Sequence, residues 1–538
     1  MDGVNVSGVN TPLQMASATA AAASPLPPPT QPMASGNVAT LTPRTAPSAP
    51  IHVDVLIVGA GLSGIGFAWH LQKHCPTKSY AIVEARGALG GTWDLFRYPG
   101  IRSDSDMHTL GFSFRPWRGE KAIADGPSIL SYLHETAAEA GIDKKIRYGH
   151  KVVRAAWSSD DALWTVDLAT SDGRTQQWTC SYLQMCSGYY DYDGGYMPGW
   201  AGMERFKGQT VHPQAWPEDL DYSGKRVVVI GSGATAVTLV PAMVGEAAHV
   251  TMLQRSPSYV FSMPGFDGLS EFLGRFLPRK VVYNLARKRG IMLSRQMFKA
   301  CRRWPQTMRR FILWRTRAQV GSGFDMAHFT PNYLPWDERL CLVPDGDLFK
   351  ALASGAADVV TDHIETFTET GILLNSGREI DADIVITATG LNLQMLGGVR
   401  LSIDGQELPV AEQMTYKAAL IEDIPNMAWV FGYTNASWTL KSEMVGEYLC
   451  RLLTYMDDND YAVAIPRDTQ GVVTADSIFD SMNAGYVKRA IDVLPRQGAA
   501  APWQVSMSYE QDAKLLLEEP IEDGVLRFER ALIGSARP

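Results

Sequence analysis

The sequence lacks several features that would place it in a specialised class of proteins. No apolar run approaches the roughly 20 residues that span a bilayer. None of the six cysteines forms a CxxC pair, which argues against zinc ribbons and dithiol redox motifs, and we expect no metal site. The net charge of −8 argues against nucleic acid as a partner of the whole chain. Scattered cysteines without a secretory signal indicate a reducing, cytoplasmic location.

Charge is nearly missing from residues 1–50, which carry only Asp2 and Arg44 but contain 10 Ala and 9 Pro. A segment of this composition buries too little apolar surface to offset the entropy of ordering it. We predict a disordered tail. The segment has no positively charged start, so a secretory signal peptide is not expected, and a transit peptide would normally carry more arginine.

Acidic residues are nearly missing from residues 270–320, where Glu271 is the one acid among 14 Lys and Arg. The rest of the chain therefore carries a net charge of −21. Apolar and aromatic residues alternate with the basic ones. We predict a basic helical insertion over residues 267–325. Two interpretations stay open: a solvated basic face that covers a domain, or peripheral contact with an anionic membrane surface.

What the chain does contain is a 46% hydrophobic composition and two strand–glycine-loop–helix units. In the first unit, the strand at 53–58 leads into Gly59, Gly61 and Gly64, and the next strand ends at Glu84. This G-x-G-x-x-G spacing permits a tight turn, close approach of a pyrophosphate and close helix packing, while the acid accepts hydrogen bonds from a ribose. It predicts a dinucleotide site. A further glycine-containing stretch offers backbone to the same ligand through Gly91, Thr92 and Trp93.

The second unit repeats the pattern with Gly231, Gly233 and Ala236. Its next strand ends in Gln254, followed by Arg255 and Ser256, so no acid is present to bind a ribose 2′-hydroxyl. Arg255 either pairs with a 2′-phosphate, as in NADP-binding proteins, or is a solvated arginine. Two such sites predict one tightly bound flavin and one exchangeable nicotinamide nucleotide.

A third motif, F-x-G-x-x-x-H-x-x-x-W-P, lies between the two glycine loops and consists of Phe206, Gly208, His212 and Trp216. It resembles the fingerprint of the Baeyer–Villiger monooxygenases, a family of FAD- and NADPH-dependent ketone oxygenases. Related flavin monooxygenases that oxygenate nitrogen or sulfur usually lack the final Trp. His212 is equally compatible with a linker histidine that organises a hinge between domains.

The resemblance extends from about residue 53 to about residue 510 and is closest to the ethionamide-activating subgroup. It is carried by residues 91–106, 335–340, 388–392 and 432–438. It implies an α/β fold with two Rossmann-like dinucleotide-binding domains and the helical insertion in the second. The implied boundaries are 51–200 and 375–510 for the FAD domain, 201–374 for the NADP domain, and 511–538 for a C-terminal tail.

The resemblance also implies a catalytic pair, in which Arg339 lies beside the flavin and Asp104 orients it and contributes to the cofactor site. In this family the guanidinium stabilises a C4a-peroxyflavin and the oxyanion that forms on a ketone. From the residues alone, Arg339 could instead form a surface salt bridge, and Asp104 could cap a turn. Glu338 departs from the pattern, because many members carry a Lys there that helps to hold the 2′-phosphate.

We therefore expect a monooxygenase that inserts one oxygen atom from O2 into ketones to give esters or lactones, using NADPH. The alternative is a flavin monooxygenase that acts mainly by S- or N-oxygenation, with thioethers or thioamides as substrates. A flavoprotein reductase and a non-catalytic nucleotide-binding scaffold are further alternatives. Substrate-pocket candidates are Tyr433, Asn435 and Trp438.

Overall fold

The computed structural model describes residues 50–338, 340–479 and 485–531. All but the last residue of the predicted N-terminal tail, and Arg339 of the predicted catalytic pair, lie outside the described residues.

Twelve α-helices occur in the described part of the chain. They are α1 (Leu62–His74), α2 (Thr92–Leu95), α3 (Met107–Leu110), α4 (Gly126–Glu139), α5 (Ala234–Met243), α6 (Gly268–Leu273), α7 (Arg279–Arg303), α8 (Pro305–Val320), α9 (Asp347–Ala353), α10 (Trp438–Asp458), α11 (Gly485–Arg489) and α12 (Tyr509–Ala513), the last continued by a π-helical turn at Lys514–Glu518.

The strands of the described residues are β1 (Ile51–Val58), β2 (Tyr80–Glu84), β3 (Ile146–Tyr148), β4 (His150–Ser158), β5 (Leu163–Thr170), β6 (Thr175–Met185), β7 (Tyr190–Gly195), β8 (Gln209–Val211), β9 (Arg226–Ile230), β10 (His249–Gln254), β11 (Val260–Met263), β12 (Cys341–Pro344), β13 (Ala357–Thr361), β14 (Ile364–Phe367), β15 (Gly371–Leu374), β16 (Glu379–Asp381), β17 (Ile384–Thr387), β18 (Leu391–Leu393), β19 (Arg400–Ile403), β20 (Gln406–Glu407), β21 (Thr415–Tyr416), β22 (Leu420–Ile421), β23 (Met427–Trp429), β24 (Val463–Pro466), β25 (Val473–Ser477), β26 (Arg496–Gly498) and β27 (Leu526–Glu529).

Two parallel sheets with matching strand orders form the framework. The first has the order β3-β2-β1-β6-β23, and the second has the order β13-β10-β9-β17-β8. In each sheet the strand that leads into the glycine loop, β1 in the first and β9 in the second, is central. Both strands are mostly apolar, as expected for strands covered by helices on both faces. An antiparallel β4-β5 extension continues the first sheet from β6. The predicted α/β fold with two Rossmann-like domains is confirmed.

The chain leaves the second sheet later than the implied boundary at 375. Strand β17 (Ile384–Thr387) is hydrogen-bonded between β8 and β9 of the second sheet. The chain rejoins the first sheet at β19, which pairs with β4. Since a buried parallel strand is a short apolar run in either domain, the sequence pattern alone does not say to which sheet such a run belongs.

The predicted helical insertion is formed by α6, α7 and α8, which lie between the parallel pair β11 and β12 of the second domain. The inner face of the insertion also contacts the first domain. Tyr283 on α7 donates a hydrogen bond to the carbonyl oxygen of Phe112 at 3.0 Å, and Arg287 forms a buried ion pair with Glu443 on α10. The insertion therefore bridges both nucleotide-binding domains.

Residues 511–531 are not a tail, in contrast to the sequence interpretation. Strand β27 pairs antiparallel with β24, and Leu516 and Leu526 are buried in the core of the first domain. Arg451 on α10 donates hydrogen bonds to the carbonyl oxygens of Leu516 at 2.5 Å and Glu519 at 2.8 Å. The apolar residues of this segment, a run at 515–517 and others at 521, 525, 526 and 528, follow neither a helical nor a strand period across the whole segment.

All six cysteines are buried as free thiols. Among the described residues, no helix has the length and hydropathy needed to cross a membrane, and no group of three or more His, Cys, Asp or Glu side chains could hold a metal ion.

We expect Leu526→Ala to destabilise the first domain by about 2–5 kcal/mol, because the side chain is 2% exposed and its removal leaves a cavity in the core. Arg527→Ala is the matched control, because Arg527 is the next residue on β27 and its side chain is exposed. Thermal unfolding followed by circular dichroism measures both variants. A melting temperature equal to that of the wild type for Leu526→Ala would show that the C-terminal strand contributes no stability.

Candidate active site

The first glycine loop connects β1 to α1 in a geometry that two glycines impose. The Gly59 N–H donates to the Val83 carbonyl oxygen on β2 at 2.8 Å, with φ of +105° at Gly59. A Cβ atom at Gly59 would lie 2.6 Å from the Cys186 carbonyl oxygen, and one at Gly64 would lie 2.0 Å from the Gly59 carbonyl oxygen. Any larger side chain at either position must displace backbone.

The space in front of this loop fits a pyrophosphate. The nearest atom to a Cβ added at Gly61 is the Cα of Gly91, at 3.6 Å, and no side chain caps the N-terminus of α1. The free N–H groups of the first helical turn are thus available for phosphate oxygens. Glu84 is buried at the end of β2, where its carboxylate accepts hydrogen bonds from the Ala60 N–H at 2.8 Å and the Arg86 N–H at 2.9 Å. Burial raises the pKa of Glu84.

The Gly91–Trp93 stretch closes over the first loop. Gly91 has a φ of +57° and lies against Gly61. Thr92 begins α2, and the hydroxyl of Tyr192, on the strand that leads to the second domain, would lie 3.6 Å from a Cβ added at Gly91. Trp93 lines a cavity of about 380 Å³ together with Phe96, Ile101 and Leu130.

The second glycine loop repeats the backbone hydrogen bond and the close backbone contact of the first. The Gly231 N–H donates to the Leu253 carbonyl oxygen at 2.8 Å, φ is +143°, and a Cβ would lie 2.3 Å from the Ala388 carbonyl oxygen. No atom lies within 4 Å of a Cβ added at Gly233, and α5 has no side-chain cap, so this loop also fits a pyrophosphate. Ala236, fully buried on α5, takes the place of the third glycine.

The strand register identifies Gln254 as the counterpart of Glu84. Val58 pairs with Val83 in the first sheet and Ile230 pairs with Leu253 in the second, so the next residue is Glu84 in one and Gln254 in the other. The Gln254 amide is buried and donates to the His328 carbonyl oxygen at 2.7 Å and to Thr361 Oγ1 at 2.8 Å. No carboxylate occupies this position.

Arg255 and Ser256 follow Gln254 and are exposed beside the second loop, and the Ser256 carbonyl oxygen accepts a hydrogen bond from Ser232 Oγ at 3.1 Å. Glu338 lies near the positive charges of Lys488 and Arg255, which lower the pKa of its carboxyl. Partial burial has the larger, opposite effect, so the pKa of Glu338 is raised. Sequence reasoning missed Lys488 because it lies on α11, far along the chain from either glycine loop.

The segment that contains Asp104 spans from the first domain to the second. Tyr98 is buried in the core of the second domain, and a Cβ at Gly100 would lie 2.6 Å from Ala242 Cβ on α5. Arg102 forms an ion pair with Asp347 at the start of α9 in the second domain. Asp104 itself is exposed.

Arg339 lies outside the described residues, so its predicted pairing with Asp104 stays a prediction. Its neighbour Leu340 is buried beside Tyr259 and Ile312 in a small core under α8.

The fingerprint motif lies at the edge of the second sheet. A Cβ at Gly208 would lie 2.4 Å from the Asp383 carbonyl oxygen, which explains the glycine, and Phe206 packs edge-on against Phe367. Trp216 is half-buried against the core of the second domain. These three residues hold strand β8 in place.

His212 contacts both chain segments that link the domains. Strands β7 and β18 pair antiparallel as the chain leaves and re-enters the first domain. The ring lies against Gly195 on β7, where a Cβ would be 1.8 Å away, and Nε2 lies 3.3 Å from the Gly390 carbonyl oxygen. Nδ1 accepts the Gln214 N–H at 3.2 Å, so the proton resides on Nε2 and the ring is neutral; burial lowers its pKa accordingly. This placement fits the linker interpretation.

The predicted pocket residues are held by other parts of the first domain. Tyr433 is buried and donates to Asp512 at 2.7 Å, and Asn435 donates to the Met507 carbonyl oxygen at 3.0 Å. Trp438, at the start of α10, donates to Ser63 Oγ at 2.9 Å in the first turn of α1. Residues 432–438 are thereby fixed against the first glycine loop.

We expect Gly64→Ala to abolish stoichiometric flavin binding, because its Cβ would push the Gly59 carbonyl oxygen out of the loop. The matched control is Ala236→Gly at the same position of the second loop, which introduces no clash and should retain both flavin and nicotinamide binding. The ratio of flavin absorbance to protein in the purified variants measures the effect. Full flavin content in Gly64→Ala would contradict the prediction that the first glycine loop holds the flavin nucleotide.

Two family models match the chain in separate regions. A model for NAD(P)-binding Rossmann-like domains matches residues 57–119, which include the first glycine loop, and a model described as flavin-binding monooxygenase-like matches residues 123–396, which include the fingerprint and the second loop. These matches confirm the prediction of a flavin- and nicotinamide-nucleotide-dependent monooxygenase at the level of the family.

Curated relatives match nearly the whole described chain. A putative FAD-containing monooxygenase, MymA, from Mycobacterium tuberculosis is 62% identical over 485 residues, which cover 89% of this chain and 98% of the relative. The FAD-containing monooxygenase EthA from the same species is 54% identical over 479 residues, with the same coverage. The probable FAD-binding monooxygenase AlmA from Acinetobacter baylyi is 49% identical and covers 89% of this chain and 96% of the relative. The resemblance to the ethionamide-activating subgroup fits the similarity to EthA.

Solved structures share the fold. An oxidised steroid monooxygenase bound to NADP superposes with a TM-score of 0.66 at 24% identity, covering 77% of this chain and 87% of the other. A cyclohexanone monooxygenase bound to ε-caprolactone gives a TM-score of 0.65 at 21% identity and covers 77% and 90%. The structure has two glycine loops that each lead into a helix without a side-chain cap, a family model matches residues 123–396, and two relatives share 62% and 54% of their aligned residues with the chain. The chain therefore belongs to the flavin-binding monooxygenase-like family.

Proposed function

We propose that the protein is a Baeyer–Villiger monooxygenase that inserts one oxygen atom of O2 into small ketones and gives esters or lactones, with FAD on the first loop and NADPH on the second. The observation that carries the proposal is the complete fingerprint of Phe206, Gly208, His212 and Trp216, each packed in a defined structural role. The final Trp is the feature that favours ketone oxygenation over oxidation at sulfur or nitrogen.

The assignment of FAD to the first loop is supported by Glu84 and by the close packing around it. The carboxylate is buried at the point where a ribose would approach, and residues 432–438 with Trp438 close the loop from the other side. A tightly held nucleotide requires such enclosure. FAD held on this loop would, once reduced by NADPH, activate O2 for the transfer of one oxygen atom to the substrate.

The assignment of NADPH to the second loop is supported by charge. Gln254 replaces the acid that would bind a ribose 2′-hydroxyl and repel a 2′-phosphate, and Arg255 is exposed beside it. Lys488 adds a second cation near Glu338. Glu338 opposes this by placing a carboxylate in the same neighbourhood. The selectivity for NADPH therefore depends on the balance between two cations and one acid.

The proposed chemical roles fall to Arg339 and Asp104. The Arg339 guanidinium stabilises negative charge that develops on oxygen as the ketone carbonyl is attacked, and Asp104 orients it. The crossing of the segment around Asp104 from one domain to the other supports this role, because Gly100 and Arg102, shortly before Asp104, contact the second domain, which carries residues 338 and 340.

The nucleotide preference gives the first test. Arg255→Ala should raise the KM for NADPH about tenfold or more with little change for NADH, since a hydrogen bond to a charged group contributes roughly 1.5–3 kcal/mol. Glu338→Gln should lower the KM for NADPH, because the repelling carboxylate is removed. Initial rates with both nucleotides measure the effect, and Arg174→Ala, exposed on the first domain, is the control. An unchanged ratio of NADPH to NADH efficiency in Arg255→Ala would contradict the assignment.

The reaction itself is tested with the FAD-loaded enzyme, NADPH and a panel of linear and cyclic ketones beside matched thioethers, with products identified by mass spectrometry. We expect ester or lactone in amounts that account for the NADPH consumed. NADPH consumption without any oxygenated product would indicate a reductase. Sulfoxide from thioethers with no product from any ketone would establish the sulfur-oxygenating alternative instead.

The role of Arg339 is tested in the same assay. Arg339→Ala should continue to oxidise NADPH, because hydride transfer develops no oxyanion, while ester formation falls by roughly 10²–10³-fold. Asp104→Ala should show a milder loss of ester. Ester formation at the wild-type rate in Arg339→Ala would remove this residue from the mechanism.

A further inference from the structure

Exposed apolar side chains are concentrated in one part of the surface. Of 18 large hydrophobic residues that are exposed in the described chain, 12 lie between residues 266 and 314. We call this set the insertion patch: Phe266, Leu269, Phe272, Phe276, Leu277, Val281, Leu285, Met292, Leu293, Trp304, Phe311 and Trp314. Such a concentration marks an interaction surface, because isolated exposed hydrophobics are scattered on ordinary proteins.

The inner face of α7 is anchored to the rest of the molecule. Val282, Tyr283 and Ala286 are buried, and Arg287 donates to the carbonyl oxygens of His108 at 3.0 Å and Gly111 at 2.7 Å in addition to its ion pair with Glu443. Arg289 and Arg295 are also paired, with Asp267 and Glu510. The patch is therefore displayed on a helix held in a fixed orientation.

The outer face of α7 mixes apolar and basic side chains along one line. Val281, Leu285, Lys288, Met292 and Lys299 follow one another at intervals of three, four or seven residues, which place them on the same side of a helix. All five are exposed. The next helix continues the pattern, with Arg310, Trp314 and Arg317 exposed on one side of α8.

Lys299 lies 3.8 Å from Glu510, but most exposed cations of α7 and α8 have no acidic partner within the described residues. No carboxylate of that part of the chain lies at ion-pair distance from the exposed set of Arg279, Lys280, Lys288, Arg303, Arg310, Arg315 and Arg317. The inner arginines of α7, by contrast, are neutralised. The positive charge of residues 270–320 is thus directed outward, while the remainder of the chain is acidic.

We propose that the insertion patch docks the enzyme on the surface of a membrane that contains anionic phospholipids. Apolar and aromatic side chains interleaved with Lys and Arg match the two layers of such a surface, since the rings enter the boundary region and the cations contact the headgroup phosphates. Trp304 and Trp314 are 61% and 63% exposed, and the membrane interface is where indole rings are stable. A second copy docked through the same patch is a poorer occupant, because it would bring two unneutralised basic faces together.

The proposal is tested by co-sedimentation of the FAD-loaded enzyme with vesicles of phosphatidylcholine alone or mixed equally with phosphatidylglycerol. We expect binding to the anionic vesicles at low ionic strength, weaker binding as salt is added, and little binding to the neutral ones. Absence of binding to anionic vesicles at low ionic strength overturns the proposal, and so does equal binding to both compositions.

Two groups of variants separate the contributions. The charge-reversal variant Arg279→Glu, Lys280→Glu and Arg310→Glu should weaken partition on the order of 100-fold, since each cation near the surface contributes about 1 kcal/mol. The apolar variant Phe272→Ser, Phe276→Ser and Trp314→Ser should bind anionic vesicles more weakly than the wild type. Its residual binding should disappear when salt is added. Binding by the charge-reversal variant at the wild-type level contradicts the proposal.

The matched control places the same kind of change elsewhere, as Ile51→Ser, Tyr148→Ser and Val473→Ser at exposed apolar positions outside the patch. It should bind vesicles like the wild type, and loss of binding in this control would overturn the assignment to the insertion patch. Flavin content and NADPH oxidation without vesicles verify that each variant is folded. Sedimentation velocity tests the alternative occupant: self-association that the apolar variant abolishes, with vesicle binding unchanged, would assign the patch to a second copy.

Discussion

The packing of His212 on the two strands that link the domains is the interaction on which the rest of the site depends. Catalysis by two nucleotides requires that both glycine loops face one another at a defined distance, yet each loop is rigid only within its own sheet. The neutral ring fills the space above Gly195 and reaches Gly390, so that the outgoing and returning strands are fixed relative to β8 of the second sheet. A charged ring would present a donor to the Gln214 N–H, which explains why burial that keeps the ring neutral suits this position.

Much of the fold could be predicted from local sequence patterns, because the steric requirements of each loop determine which residue types occur in it. Gly59, Gly64 and Gly231 have backbone atoms where a side chain would be, and that requirement is visible as a glycine at a fixed spacing. Ala236 shows the converse, since a larger residue is accepted where the helix leaves room. Both glycine loops followed from such signals, the helical insertion followed from its basic and apolar composition, and the fold class followed from the family resemblance.

The parts that could not be predicted depend on contacts between residues far apart in the sequence. Strand β17 reads as an apolar run that either sheet could accommodate, and its place between β8 and β9 is decided by tertiary packing. The C-terminal residues Leu516 and Leu526 are buried by contacts with α10 and β24. These elements are distant in the sequence, so the local pattern does not predict the burial. Lys488 likewise approaches Glu338 only through the fold. The Gln254 position shows the limit most clearly: its equivalence to Glu84 is evident from register, whereas the sequence drew attention to Arg255.

The C-terminal strand has a consequence for how the chain is synthesised. The second domain is one continuous stretch, so its five parallel strands are all available to the ribosome-bound chain once β17 has emerged. The first domain begins earlier but ends later, because β23, α10 and β27 are made last and its core closes around them. Its early strands must therefore wait, with apolar faces uncovered, until almost the whole protein has been translated. The domain that starts first is the last to finish folding.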